Sequence, residues 1–344
     1  MISINKEKIR LDDATCERLV FLSEFGGLIH DLGKLNELFI EKHKRDSLIN
    51  YEHGNILEEK TNNQNLNEKK DRLKEILNEI KLFKEDLFMN QITNTKLYSF
   101  IKNHHGNIIE NNPIIDLLRL SDKCDSKEDK GEAFNRQAGD KTFIGNAFGH
   151  EKSINVNYKN ECKKLYHLLI QKLKNFEEEN FIKIIKKDRI VFLEDIRDLF
   201  KNGVGMTARA ANDVSLWEHS FMVASILRTL ISESILKENF PMDVKLTSIK
   251  KIEELKPYRI LSIGWNFSDF LSKSNKLQDI RGRIETIKII KNNMKKKIES
   301  KWFLGNHIFE NNESIHFLVP ASGIELQKRK DITKQVYTIF NKYS

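Results

Sequence analysis

The chain has 344 residues, 39% hydrophobic and 31% charged, with 15 Gly and 4 Pro; this helix-rich globular composition excludes a collagen-like, Pro-rich or wholly disordered chain and allows two ordinary domains. A formal net charge of +8, from 58 Lys+Arg against 50 Asp+Glu, is mild at this length and permits a nucleic-acid partner without requiring one. Apolar stretches fall short of the roughly 18 residues of a membrane span, the charged N-terminus lacks a secretory pattern, and Cys16, Cys124 and Cys162 are too scattered for a disulfide framework, so a cytoplasmic protein without a membrane partner is expected.

In chain order, residues 14 to 44 read as helical, with Leu19, Leu22, Phe25, Leu28, Leu32 and Leu35 near the 3.6-residue period. Gly26 and Gly27 interrupt that pattern and predict close packing against a neighbour. Residues 61 to 72 (TNNQNLNEKKDR) read as an exposed loop, and helical patterns return at 73 to 88, 113 to 124, 159 to 176 and 213 to 236. The period changes after Pro257: 258 to 263 is β-like, 278 to 298 is helical with Ile284, Ile287, Ile290, Met294 and Ile298 on one side, 302 to 309 and 314 to 319 are β-like around the turn ENNE, and 331 to 342 is a final helix. The fold class predicted is mainly α: an all-helical domain over 1 to 240, a linker over 241 to 257, and over 258 to 344 a partial α+β domain whose β-α-β-β-α order is the front of a ferredoxin-like unit.

The ten histidines cluster in motifs. His30-Asp31 sits in LIHDLGK, His53 in YEHGN, His104-His105 in NHHGN, Asp122 in RLSDKCDS and His219 in NDVSLWEHS. An adjacent His-Asp pair can serve one or two divalent ions, the carboxylate bridging while imidazoles supply neutral nitrogens, with open positions left for water and a phosphate oxygen. Nitrogen and oxygen ligation without sulfur suits Mn, Fe, Co, Ni or Zn and argues against a structural zinc site. A lone His-Asp or His-His dipeptide arises by chance more often than as a metal site; the order of the whole set carries the reading. Lys34, one turn after Asp31, is a candidate to meet a phosphate or simply a solvated helix charge, and Asp125 is the second choice beside Asp122. The remaining histidines (His43, His150, His167, His307, His316) read as surface or core residues.

This order of motifs resembles the HD phosphohydrolase superfamily. More narrowly, it resembles the N-terminal part of the polymerase-type large subunit of type III CRISPR effector complexes, in which the HD domain is circularly permuted and the usual first histidine arrives last. NDVSLWEHSFMVASILRTL is similar to that family's D-x-S-L-x-x-H-S helix, making His219 the displaced ligand, and RLSDKCDSKEDKGE and TFIGNAFGHE are similar to two of its later segments. ILSIGWNFSDFL, QDIRGR and HFLVP resemble the strands and helix of its first palm subdomain. The Gly-Gly-Asp-Asp turn needed for cyclic-oligoadenylate synthesis is missing, so the chain alone is not expected to cyclise nucleotides.

The resemblance implies a metal-dependent nuclease for single-stranded DNA within an RNA-guided antiviral complex. Its metal ligands are His30, Asp31, His53, His104, His105, Asp122 and His219, its catalytic residues His30, Asp31 and Lys34, and its cofactors as many as two transition-metal ions, Mn, Co or Ni. Asp213 is a candidate to orient His219. The implied partners are single-stranded DNA, guide RNA, other effector subunits and a second polypeptide carrying the GGDD palm half. The alternatives are a scaffold subunit with weak or absent catalysis and a stand-alone HD nucleotide phosphohydrolase.

Overall fold

The computed structural model describes residues 11–42, 48–83, 95–105, 112–129, 143–145, 151–153, 158–174, 183, 187–203, 205, 214–237, 257–322, 333–334 and 337–338. They are mainly helical, with one three-stranded antiparallel sheet near the C-terminus and one short two-stranded ribbon. The chain divides into two compact units, one of residues 21–227 and the other of 1–20 and 228–344. The linker expected at 241–257 lies outside the described residues apart from Pro257.

The first unit's helices are α1 (Asp13–Ile29, whose first residues belong to the second unit), α2 (Glu37–Lys42), α3 (Gln64–Glu79), α4 (Leu97–Lys102), α5 (Pro113–Asp129), α6 (Tyr158–Leu173), α7 (Arg189–Phe200) and the first half of α8 (Leu216–Leu236), with 3-10 turns at Leu32–Leu35 and His53–Asn55. The helical stretch expected over 14 to 44 is therefore broken at His30-Asp31, which stand between α1 and the first 3-10 turn. The loop expected over 61 to 72 is largely helix. Asn63 caps α3 by accepting the Leu66 N–H at 3.1 Å, and the buried stripe Lys70, Leu73, Ile76 and Leu77 follows the helical period through the Asn-rich surface. Asn112 caps α5 in the same way, ahead of Pro113 at the first helical position, where a missing N–H costs nothing.

In the second unit, β3 (Tyr258–Gly264) leads through α9 (Phe267–Ser272) and α10 (Leu277–Lys295) to β4 (Asn306–Glu310) and β5 (Ser314–Pro320); the ribbon strands β1 (Phe143–Gly145) and β2 (Glu151–Ser153) belong to the first unit. β5 lies between β3 and β4 and runs antiparallel to both, so the outer strands are parallel and joined by the helical crossover, a split β-α-β arrangement. Of the helical stripe predicted from Ile284 to Ile298, Ile287, Ile290, Met294 and Ile298 pack with Ile315, Phe317 and Val319 of β5 as the unit's core, while Ile284 is only partly buried and lies outside it. The strand expected from Trp302 begins only at Asn306, because a π-turn at Lys296–Lys301 extends α10 and Phe303 adopts a left-handed conformation with φ 53°. Within the expected final helix, residues 333–334 and 337–338 are helical. Among the described residues, no helix is long and apolar enough to cross a membrane.

Candidate metal centre

The C-terminal end of α1 delivers His30 and Asp31, and two glycines decide where it lies. A Cβ on Gly26 would come within 2.4 Å of the Phe100 ring in α4, and one on Gly27 within 2.9 Å of the Ala224 Cα in α8. The close packing that the Gly-Gly pair predicts is thus used against α4, which leads to His104 and His105, and α8, which carries His219. His104 and His105 follow the end of α4, where the Arg119 guanidinium donates to the Asn103 carbonyl at 2.6 and 3.1 Å. His53 opens its own 3-10 turn beside Gly33, and the Tyr51 hydroxyl donates to the Gly33 carbonyl at 2.8 Å. His219 stands in the first turn of α8, behind a reciprocal cap. The Glu218 carboxylate accepts the Ser215 N–H at 2.7 Å, while Ser215 Oγ accepts the Glu218 N–H at 3.3 Å.

These elements converge on the buried carboxylate of Asp31. His53 Nε2 lies 3.0 Å and His104 Nε2 3.2 Å from its Oδ1; His219 Nε2 lies 3.1 Å and His30 Nε2 3.3 Å from its Oδ2. His105 Nε2 adds itself 2.7 Å from His53 Nε2. Two overlapping ligand groups result, Asp31 with His53, His104 and His105, and Asp31 with His30 and His219; within each, the ligand atoms lie within 4.8 Å of one another. Either group can hold a metal ion.

The tautomers fit that role. His30 Nδ1 donates to the Gly27 carbonyl and His104 Nδ1 to the Ile101 carbonyl, each at 2.7 Å, and a carbonyl can only accept. His219 Nδ1 donates to Asp125 Oδ2 at 2.7 Å. In all three rings the hydrogen bond from Nδ1 leaves Nε2 facing Asp31, the arrangement in which an outer partner orients an imidazole ligand. His30 Nε2, His219 Nε2 and both Asp31 oxygens are buried without an aligned hydrogen bond. Buried polar atoms left in this state cost free energy that a cation among them would recover.

The electrostatics keep His104 and His105 neutral but favour a charged His219 beside the carboxylate. Burial alone would raise the Asp31 carboxyl, but His30 and Lys34 outweigh it and hold it well below the usual carboxylate range. Burial pushes His104 down to about 4, and His105, although its residue is exposed overall, is lowered by the partial burial of its ring and by the neighbouring His104 and His53, so both are uncharged near neutral pH. Burial and Lys34 also oppose charge on His219, but the Asp125 and Asp31 carboxylates prevail and carry it up to about 9.

Of the residues singled out in the sequence, His30, Asp31, His53, His104, His105 and His219 come together here. Asp122 lies at the margin, 3.5 Å from His219 Nε2 and outside both ligand groups. The orienting role considered for Asp213, which lies outside the described residues, is filled by Asp125. Lys34 places its ammonium 2.5 Å from Asp31 Oδ2 and donates to the Gly205 carbonyl at 2.9 Å. Of the other histidines, His167 contacts Gln171, His307 pairs with Glu299 and His316 with Ser262 and Ser314, while His43 and His150 lie outside the described residues. In comparisons with known proteins, no family model matches the chain and no curated protein matches it.

Proposed function

We propose that this chain is a metal-dependent phosphodiesterase that cuts single-stranded DNA, the permuted HD-type nuclease region of a polymerase-type large subunit of a type III CRISPR effector complex. The observation that carries the reading is the convergence of five histidines from four separate segments on Asp31, with three Nδ1 atoms engaged in outer hydrogen bonds and the Nε2 atoms turned inward. An all-nitrogen-and-oxygen set of this kind favours Mn, Co or Ni over a structural zinc or a magnesium ion held largely by water. When bound, such an ion polarises a phosphate oxygen and lowers the pKa of a bound water.

The chain's own residues supply the rest. Asp31 presents one oxygen to each ligand group, Gly27 and Ile101 fix the His30 and His104 tautomers through their carbonyls, and Asp125 orients His219. His105, the exposed member of the set, marks the side from which a phosphodiester reaches the centre. The split β-α-β arrangement of the second unit fits a ferredoxin-like palm subdomain. In this reading guide RNA and other effector subunits are its partners in the cytoplasm.

The test is cleavage of end-labelled single-stranded DNA by the purified chain with Mn, Co or Ni, beside the His30→Ala/Asp31→Ala double variant. Metal-dependent cutting lost in the double variant is expected. A wild-type chain that holds metal but leaves DNA intact overturns the nuclease reading in favour of a scaffold. Hydrolysis of nucleotides alone points to a phosphohydrolase.

A further inference from the structure

The helical unit carries a cleft that shares no residue with the metal centre. It encloses about 960 Å³, the scale of a small-molecule site. Its charged lining is positive on balance: Lys163 is exposed, Lys60 pairs with Asp71 at 2.6 Å, Lys70 lies at the floor, and Glu37 is the one acidic member. Two sixteen-residue helices also begin here. Gln64, Asn65 and Leu66 line the cleft from the first turn of α3, and Asn160 lines it from the first turn of α6. Helix starts carry partial positive charge and favour an anion.

The floor holds two buried polar groups short of partners. Lys70 is 1% exposed, and among the described residues its ammonium donates only to the Glu59 carbonyl, at 3.1 Å. An ammonium has three N–H donors, and a buried charge is ordinarily paired. Burial pushes Lys70 below its usual value, and the neighbouring Glu59 offsets this only in part. The Tyr166 hydroxyl is fully buried with no partner among the described residues. Burial holds it well above the usual range, so it keeps its proton and stays a donor. An anionic oxygen accepts from either group. The side-chain amides of Asn36, Asn62 and Asn65 offer donors and acceptors together, which a polar organic ring can use and a bare anion cannot.

We propose that this cleft binds a small organic phosphate, a mononucleotide or a sugar phosphate, with the phosphate on the Lys70 and Tyr166 floor and the polar ring against the amides. The site stands apart from the nuclease reading and does not depend on it.

Isothermal titration calorimetry of the full chain in EDTA tests this, with adenosine monophosphate, ribose phosphate, adenosine and inorganic phosphate as probes. One of the two phosphate esters is expected to bind at one per chain, about 10-fold or more tighter than adenosine or inorganic phosphate. Lys70→Met should weaken it by about 10-fold or more, since a charged hydrogen bond is lost. Lys163→Glu, an exposed change that leaves the floor intact, should also weaken it and covers the case in which the Lys70 variant unfolds. Tyr166→Phe should weaken binding without lowering the urea midpoint of the free chain, because an unpartnered buried hydroxyl adds nothing to stability. The His30→Ala/Asp31→Ala variant should bind as the wild type does. The proposal is overturned if neither ester binds saturably, if inorganic phosphate binds as tightly as the esters, or if Lys70→Met and Lys163→Glu both leave binding unchanged. Binding lost in the His30→Ala/Asp31→Ala variant overturns it too, by placing the phosphate at the metal centre.

Discussion

Replacing Gly33 with alanine tests whether the turn that carries Asp31 and the turn that carries His53 hold each other in place. A Cβ at position 33 would stand 2.0 Å from the His53 carbonyl oxygen, 2.7 Å from its carbon and 2.8 Å from its Cα. All three are backbone atoms, so no side-chain rotation relieves the clash. The gap must widen by about 1.4 Å to reach the 3.4 Å at which ordinary contact begins. His53 Nε2 now lies 3.0 Å from Asp31 Oδ1, and a ligand tolerates only about 0.2 Å of misplacement in a metal site. The expected loss of metal affinity is therefore about 10- to 100-fold, roughly 1.4 to 2.7 kcal/mol, beside an overpacking cost of about 1 to 3 kcal/mol in stability. Cobalt titration followed by its visible absorption reads the first quantity and urea unfolding of the metal-free chain the second. Gly33→Ala binding cobalt within two-fold of the wild type, with unchanged stability, would refute the reasoning, since the two turns would then move independently at no cost.

Three further outcomes are expected. Gly282→Ala, in the middle of α10 with nothing within 4 Å of the new methyl group, should stabilise the protein by about 0.5 to 1 kcal/mol through helix propensity, visible as a higher urea midpoint at an unchanged slope. Asp125→Ala should weaken metal binding by about 10- to 100-fold, whereas Asp125→Asn, whose amide oxygen can still accept the His219 Nδ1 proton, should lose less; equal losses would count against an orienting role. Glu58 is held down to about 2 by Lys102, against burial and with help from Tyr98 and Lys74, so its contribution is present above the ordinary carboxyl value near 4.5 and is lost as pH falls from there toward 2. Its side chain is more than a third exposed, so solvent screening limits that contribution to about 1 kcal/mol; Glu58→Gln should show this loss at pH 7 and almost none at pH 2, and a pH-independent difference would contradict the assignment.

The candidate residues were legible in the sequence because their motifs are local. His-Asp and His-His dipeptides beside helical patterns name their own residues, and the structure brings His30, Asp31, His53, His104, His105 and His219 to one point. The choice between Asp122 and Asp125 was not legible. The two lie three residues apart on one helix, and only the fold shows that Asp125 Oδ2 accepts from His219 Nδ1, at 2.7 Å. Boundaries failed where a local signal was overridden. Asn-rich composition from 61 to 72 reads as loop, yet the same asparagines cap and coat α3 around a buried stripe. Apolar residues at 302 to 304 read as strand, yet the π-turn consumes the chain before pairing can begin. α7 went unread in the sequence although Asn202-Gly203 follows it as a turn signal and its Ile196, Leu199 and Phe200 are buried. The Gly-Gly pair was the opposite case: its cost to helix propensity already implied a neighbouring backbone or ring, and both are there.

The ligands also come from points spread over nearly the whole length of the helical unit, from His30 through His53 and His104 to His219. Bringing such distant positions together is slow and entropically costly, and it succeeds only after α1, α4 and α8 have docked. An ion bound at Asp31 would therefore act as a late-forming cross-link, absent while the chain searches for its fold and present once the search is over. Metal uptake would then report completed folding.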